Sequence, residues 1–496
     1  MLPDFAMLTP QLFLLGWAIL VFIIDLFFIK GRKDILGYVA LAGLAVTMVL
    51  VCLVPQGRTF GRMFISDGFS LFFNIVFVGS TMLAISSSAE FTGSIKHNRG
   101  DYYGLILLSA VGMMFLASAG ELISLYVSLE LTTISLFVLA AYRKTSVESS
   151  EAGLKYLILG AISSAILLYG MSMIYGVTGS TDLGVIREVI SAKLGEGVIK
   201  AAWDVHVLGL VLIIAGLGFK LAVVPFHMWA PDVYEGAPTP ITSYLSVASK
   251  AAGLAALIRI VIGAFSLAAF MDDWGIIIAV LAAMTMIYGN ITAVLQSNIK
   301  RMLAYSSIAQ AGYILVGLVA ASRYIQFGNT RPWELGISSL SFYIFGYMFA
   351  NMGAFAVAIA FSHQYGSDKI KDYAGLSKRS PWLAAAMTVF LLSLVGIPPL
   401  VGFLAKYYIF ASAIAAGGYL WLVMIGVLTS VVALFYYAYI IRQMYFVEPT
   451  EEREKTKVAP LLAVTIAVTA IFTIAIGVFP QPFISLAEKA ISVFGS

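Results

Sequence analysis

The sequence predicts an all-α polytopic membrane bundle of about fourteen transmembrane helices, two of them broken. Three observations carry that prediction. The chain is 60% hydrophobic and only 11% charged, with a mean hydropathy of +0.95, well outside the soluble globular range. Its apolar runs recur at roughly the 20-residue length that a bilayer core requires. Ionisable residues are rare within those runs, yet Glu130, Lys220, Lys250 and Lys406 lie deep inside four of them.

The runs fall at 11–29, 35–54, 69–89, 103–119, 121–141, 154–177, 205–226, 240–262, 274–294, 302–321, 337–361, 382–412, 418–441 and 459–479. The first follows a stretch that carries Asp4 and no basic residue. It is too long for a cleavable leader and is expected to stay. Between runs, Lys30, Arg32, Lys33, Lys96, Arg99, Arg143, Lys144, Lys300, Arg301 and the basic residues of 369–379 and 442–457 fall on one side. The other side holds the sparser Arg58, Arg62, Arg187, Lys193, Lys200, Arg323, Arg331 and Lys489. The positive-inside rule makes the first side cytoplasmic and puts both termini outside.

The longer connections, 178–204, 362–381 and 446–458, are too short for a soluble domain, so function has to lie within the membrane. The tract "LGVIREVISAKL" reads equally as a short interfacial helix or as a solvated connector. A formal charge of +4 is too small to suggest a nucleic-acid partner. A single cysteine, Cys52, excludes a disulfide framework and any multi-cysteine metal site, and no phosphate-binding glycine pattern sits in a strand–helix context. No cofactor or metal site is expected in this chain.

Two runs are interrupted by proline. Pro225 removes a backbone donor and frees the carbonyl of Leu221, beside Lys220; Pro398 and Pro399 free those of Leu394 and Val395. Broken helices persist in a bilayer only where protein or water satisfies the freed groups, so both breaks are expected to border hydrated cavities. They fall in the seventh and twelfth runs, which cross in opposite directions, as an inverted repeat would produce.

Four ionisable groups at span centres represent about 10–14 kcal/mol of insertion penalty before pairing. That rivals the ~5–15 kcal/mol net stability of an ordinary domain. A use for them is therefore expected, and a carboxylate with several amines suits proton handling. Glu130 paired with Lys220 would hold that lysine charged, and separation would let it release its proton. Three lysines against one carboxylate also leave excess positive charge in a low-dielectric interior, so some should be neutral part of the time. The plain alternative is a fixed salt bridge with snorkelling lysines, although Lys250 and Lys406 lie too far from their span ends for that.

Lys155 is either a relay member or a snorkelling end residue. His227 either passes protons or is a hydrogen-bonded interfacial side chain. Arg259 and Asp25 read as structural, and His363 carries little signal. The polar residues of "NIKRMLAYSSIAQAGY" are candidates either to order water between lysines or to join helices. No aromatic cluster marks a quinone pocket.

The passages "SLYVSLELTTISLFVLAAYRK", "GFKLAVVPFHMWAPDVYEGAPTP", "YLSVASKAAGLAALIR", "NIKRMLAYSSIAQAGY" and "GIPPLVGFLAKYYIF" together resemble the antiporter-like membrane subunits of respiratory complex I. Lys406 stands where the M-type subunits usually carry a glutamate. The chain also ends soon after its last run, without the long lateral helix of the L-type, so the resemblance is to the N-type. It implies two inverted five-helix repeats, dividing the chain into 1–102, 103–262, 263–446 and 447–496. It also implies proton pumping driven by quinone reduction elsewhere in the complex. Glu130, Lys220, Lys250 and Lys406 match the family's membrane axis, Lys155 and His227 less decisive positions. Implied partners are the M-type and small membrane subunits, the peripheral redox arm with its flavin and iron–sulfur clusters, and the bilayer of a cell inner membrane. Two alternatives stand beside this reading: a subunit of a multisubunit sodium/proton antiporter, which shares these motifs, and a non-conducting membrane scaffold.

Overall fold

The computed structural model describes residues 4–28, 35–93, 99–195, 199–326, 330–449 and 457–489. Lys30, Arg32, Lys33, Lys96, Arg453 and Lys455, which enter the sidedness argument, lie outside the described residues, as do 490–496.

Among the described residues, twelve helices are long and apolar enough to cross a membrane, from Phe5–Phe27 to Pro460–Val478. Three shorter apolar helices, Val205–Leu221, Pro381–Val395 and Val401–Ala416, fall where the prolines interrupt the seventh and twelfth runs. The chain is therefore a multi-pass membrane protein. Hydropathy locates these helices because a bilayer leaves backbone groups no partner but their own helix. Local chemistry sets their ends. Asp67 and Ser70 form a reciprocal capping box before Gly68–Ser87, Ser146 caps Val147–Thr178, and Gly179 closes that helix at φ +70°.

The helices are layered by burial. Thr239–Gly263, Ile299–Arg323 and Leu335–Tyr365 are enclosed by other helices, whereas the first, second and last spans and Leu420–Phe446 keep broad apolar faces outward. The enclosed helices carry Lys250, the Ser306–Tyr313 stretch and Tyr343, so the polar content of the fold is concentrated at its centre.

One feature departs from the sequence reading, and one alternative that the sequence leaves open is decided. A two-stranded antiparallel hairpin, Gly57–Thr59 with Phe64–Ser66, interrupts the otherwise all-α chain. It forms because Ile65 N donates to Ser118 O at 2.8 Å and Gly120 N to Met63 O at 3.0 Å, docking it on the next interhelical turn. The "LGVIREVISAKL" tract is a helix, Leu183–Gly195, capped by Asp182, whose carboxylate accepts from Gly184 N and Val185 N at 2.8 and 2.9 Å. Leu183, Ile186 and Ile190 form its buried face, and periodicity of that kind favours a helix over a solvated connector.

The breaks lie as the prolines require. The helix Ile199–Leu221 stops, Ala222 adopts φ +54°, and helix resumes at Trp229–Gly236. Here the protein itself supplies partners: Trp229 Nε1 donates to Phe219 O at 2.8 Å and Val224 N to Thr285 Oγ1 at 3.0 Å. At the second break, Gln310 Nε2 donates to Leu394 O at 3.2 Å and Lys406 Nζ to Val395 O at 2.8 Å. These are the two carbonyls that the prolines were expected to free. Gly402 makes the turn possible, since a Cβ there would meet Ser393 O at 1.8 Å.

Candidate functional site

The break before Pro225 leaves Lys220 in the last turn of its helix, with the side chain only 3% exposed. Its ammonium donates to Thr133 Oγ1 and lies 5.5 and 5.7 Å from the ring centroids of Phe137 and Phe219. Thr133 is one turn after Glu130 on the helix Leu122–Ala140. Glu130 is half-buried, its Oε1 is enclosed without a hydrogen-bond partner, and it makes no ion pair with Lys220 within 4.0 Å. The direct pair anticipated from sequence is therefore replaced by a longer-range arrangement. Thr133 takes the hydrogen bond, and Glu130 lies three residues before it on the same helix. The difference follows from helix geometry, because Glu130 and Thr133 share a face and the shorter side chain sits opposite the ammonium.

Lys250, 2% exposed, begins the second α-helical part of its span, directly after a π-helical turn, Leu245–Ser249, and donates to Ser307 O. Its helix approaches Lys220 closely at Gly253, where a Cβ would lie 3.1 Å from Lys220 Cβ. Lys406, 6% exposed, donates to Val395 O at 2.8 Å and Ser430 Oγ at 3.1 Å, over the ring of Tyr313 at 4.4 Å. A cavity of about 640 Å³ adjoins it, lined by Gly396, Lys406 and Ser430 and otherwise mostly by apolar side chains. Among the described residues, none of the three lysines has a carboxylate within ion-pair distance.

Hydroxyl and amide groups link part of this set. From Lys406, Ser430 Oγ donates to Tyr313 Oη at 3.3 Å, Tyr313 bonds Thr429 at 3.0 Å, and Asn290 Nδ2 donates to Tyr313 Oη at 3.1 Å. Tyr436 Oη then donates to Asn290 Oδ1 at 3.1 Å. The Tyr436 ring packs on Tyr437, which bonds Ser306, the residue before the Lys250 acceptor. A second branch runs from Tyr343 through Gln310 to Leu394 O at the break. The stretch 298–313 was legible as polar, but Asn290, Thr429, Ser430 and Tyr436 were missed. A lone asparagine within "MTMIYGNITAV" was the available signal.

The weaker candidates separate. His227 is 7% exposed, its ring edge-on to Tyr288 with centroids 4.5 Å apart, and its Nδ1 has no partner. Lys155 is not part of the buried set. It pairs with Glu151 and Asp232, each at 2.7 Å, and Arg301 adds Asp232 at 2.9 Å and Glu235 at 2.8 Å. Arg259 is structural, held bidentately by Asp67 at 2.6 Å twice. Asp25 accepts from Gly100 N at 3.0 Å, and His363 stands 3.7 Å from Glu90.

The surface cluster gives a pH prediction. Burial works to raise the Asp232 carboxyl, but hydrogen bonds and charge from Lys155 and Arg301 outweigh it and hold it below its ordinary value of 3.8. Its contribution to stability is present above that value and is lost as pH falls through the lower folded value. Asp232→Asn is thus expected to lower thermal stability slightly at pH 7, by roughly 1 kcal/mol for these half-exposed pairs, and to cost less at about pH 3, below the ordinary carboxyl value. Melting curves at both pH values check this, and an equal deficit at both would exclude the ion pairs as its cause.

Residues 119–433 match the model of the NADH:quinone oxidoreductase/Mrp antiporter transmembrane family. The chain is 44% identical to the NADH-quinone oxidoreductase subunit N of Moorella thermoacetica, over 94% of this chain and 93% of that protein. It superposes on a chain of respiratory complex I from Thermus thermophilus with a TM-score of 0.78 and 30% identity, covering 97% and 99% of the two chains. A chain of the Mrp complex from a Dietzia species shares the fold, with a TM-score of 0.82 at 22% identity, covering 99% and 97%. By the family match and the extent of this identity, the chain belongs to the NADH:quinone oxidoreductase/Mrp antiporter membrane-subunit family, in its subunit N group.

Proposed function

We propose that the chain is a proton-translocating membrane subunit of a complex I-type quinone oxidoreductase, with Lys220, Lys250 and Lys406 as its protonatable sites. The observation that carries this reading is the burial of three lysines in one bundle with no carboxylate partner among the described residues, each held instead by hydroxyl or carbonyl groups. A fixed salt-bridge role would require such partners. An amine that is alternately charged and neutral is served better by groups that tolerate both states.

In this mechanism Glu130 sets the charge balance at Lys220 from a distance, and Thr133 holds the ammonium. A proton leaving Lys406 meets Ser430 and then Tyr313, hydroxyls that accept and donate at once; Asn290 and Tyr436 orient that chain. Water carries the remaining steps between the lysines, and His227 serves the Lys250 end. The broken helices belong to two inverted repeats, 103–262 and 263–446, flanked by 1–102 and 447–496, and counting each broken pair as one span gives about fourteen spans. Quinone, flavin and iron–sulfur chemistry belongs to other subunits, consistent with a sequence that has one cysteine. The partners are M-type and small membrane subunits and a peripheral redox arm, in a cell inner membrane with both termini outside.

The test is to tag the chain, extract it in mild detergent from its native membrane, and assay the assembly for flavin, iron–sulfur clusters and quinone reductase activity. Co-purification of all three is expected. Recovery with membrane antiporter subunits alone, together with sodium-dependent proton exchange, would overturn the reading. Tyr313→Phe keeps the ring under Lys406 and deletes the hydroxyl joining Ser430, Thr429 and Asn290. It is expected to slow pumping about tenfold without loss of assembly. Unchanged pumping would remove Tyr313 from the path.

A further inference from the structure

A groove of about 1,220 Å³ opens where the helices Leu122–Ala140 and Val147–Thr178 meet the ends of Thr9–Ile23 and Arg99–Ala117. Its two ends differ in chemistry. Arg143 and Lys144 stand at the mouth, in the turn between two spans, with Tyr142, Thr145 and Ser150 beside them. Deeper in, the walls are Ile134 and Val138 on one helix and Leu154 and Leu157 on the next, all exposed on the apolar face of the bundle. Leu157 lies ten residues into its helix, about 15 Å along the axis, which is close to half of the ~30 Å hydrocarbon core.

Size and charge together select an occupant. The volume exceeds the roughly 300–1,000 Å³ typical of compact-ligand pockets, and the apolar wall lies on the outward face of its two helices. Arg143 lies over the Phe91 ring at 5.2 Å, and among the described residues neither Arg143 nor Lys144 has an ion-pair partner. Asp101 is the one carboxylate among the lining residues, leaving the mouth net positive. Two cations in the turn between two spans, with no ion-pair partner among the described residues and above an apolar channel of acyl-chain length, are complementary to an anionic diacyl lipid.

We propose that this groove is a binding site for an anionic glycerophospholipid, with its phosphate at Arg143 and Lys144 and an acyl chain against Ile134, Val138, Leu154 and Leu157. The inner wall includes Phe137, whose ring also flanks the Lys220 ammonium, so bound lipid seals that side of the lysine from the bilayer. The proposal does not depend on the proton-transfer reading.

The test reconstitutes the full chain in nanodiscs of equal phosphatidylglycerol and phosphatidylcholine, each in turn carrying a photoreactive acyl chain, and maps the adducts. Labelling within residues 134–157 is expected to favour phosphatidylglycerol about fivefold. Arg143→Gln with Lys144→Gln should abolish that preference, and both positions are exposed, so the fold tolerates the change. Val138→Trp, which fills the channel, should lower labelling by both lipids. Equal labelling in the unaltered chain, or a preference that survives the double substitution, would overturn the proposal. So would a photoreactive residue at position 157 that joins another protein instead of lipid in native membranes.

Discussion

Lys220→Met is expected to abolish redox-linked proton translocation while leaving the protein folded and assembled. Methionine keeps the unbranched shape and removes the ammonium from a site that is 3% exposed. The partners left behind are not stranded. Thr133 Oγ1 still donates to Leu129 O at 2.7 Å, and Phe137 and Phe219 gain an apolar neighbour. Structural loss should therefore be small, because deleting a buried charge also deletes its desolvation penalty. The functional loss should be large, because the proposed mechanism has Glu130 act on Lys220 alone. Glu130→Gln should act in the same direction but more weakly, since it removes the controlling charge and keeps the carrier. The measurement is vesicle acidification during quinone reduction, with assembly followed by co-purified flavin. Full pumping in an assembled Lys220→Met complex would sink the role assigned to this lysine.

What could be read from the sequence is what is local along the chain. Runs of apolar residues locate the spans because a bilayer permits no other backbone solution, and the prolines name the carbonyls they free. Leu394 and Val395 are therefore legible from Pro398 and Pro399 alone, although Gln310 and Lys406, which satisfy them, come from other helices. The ionisable residues were legible as costly, but their partners were not. Thr133 in place of Glu130 at Lys220, Ser307 at Lys250 and Ser430 at Lys406 each depend on which face a neighbouring helix presents. The same holds for Asn290 and Tyr436, which lie in spans too uniformly apolar to show an inward face. Lys155 was ambiguous for a related reason. Of its two ion partners, Glu151 lies one turn before it, but Asp232 belongs to the short helix after the break, whose position no pattern in the chain records.

Asp67→Ala is expected to have the largest effect on stability of any single substitution considered. Asp67 holds Arg259 through both guanidinium nitrogens at 2.6 Å, with the two side chains 5% and 4% exposed. The third donor, Arg259 Nε, reaches Ala117 O at 2.9 Å, so the arginine ties the hairpin end, the helix Arg99–Ala117 and the Lys250 helix together. Asp67 also caps its own helix by accepting from Ser70 N at 2.8 Å. Alanine leaves a buried guanidinium without its counter-charge, at about 3–5 kcal/mol, and removes a cap worth about 1 kcal/mol more. Denaturation of the purified chain should register the loss, and little protein should assemble. Combining Asp67→Ala with Arg259→Met tests the cause, because removing the stranded charge should restore most of the stability apart from the cap. If the double substitution is no more stable than Asp67→Ala alone, the pair is not the source. The consequence reaches the proposed proton sites through one helix: Arg259 and Lys250 lie nine residues apart on it, so the ion pair fixes the height at which Lys250 meets Ser307. Any assembled Asp67→Ala protein should therefore pump less per turnover, a loss that the compensating Arg259→Met change would not repair.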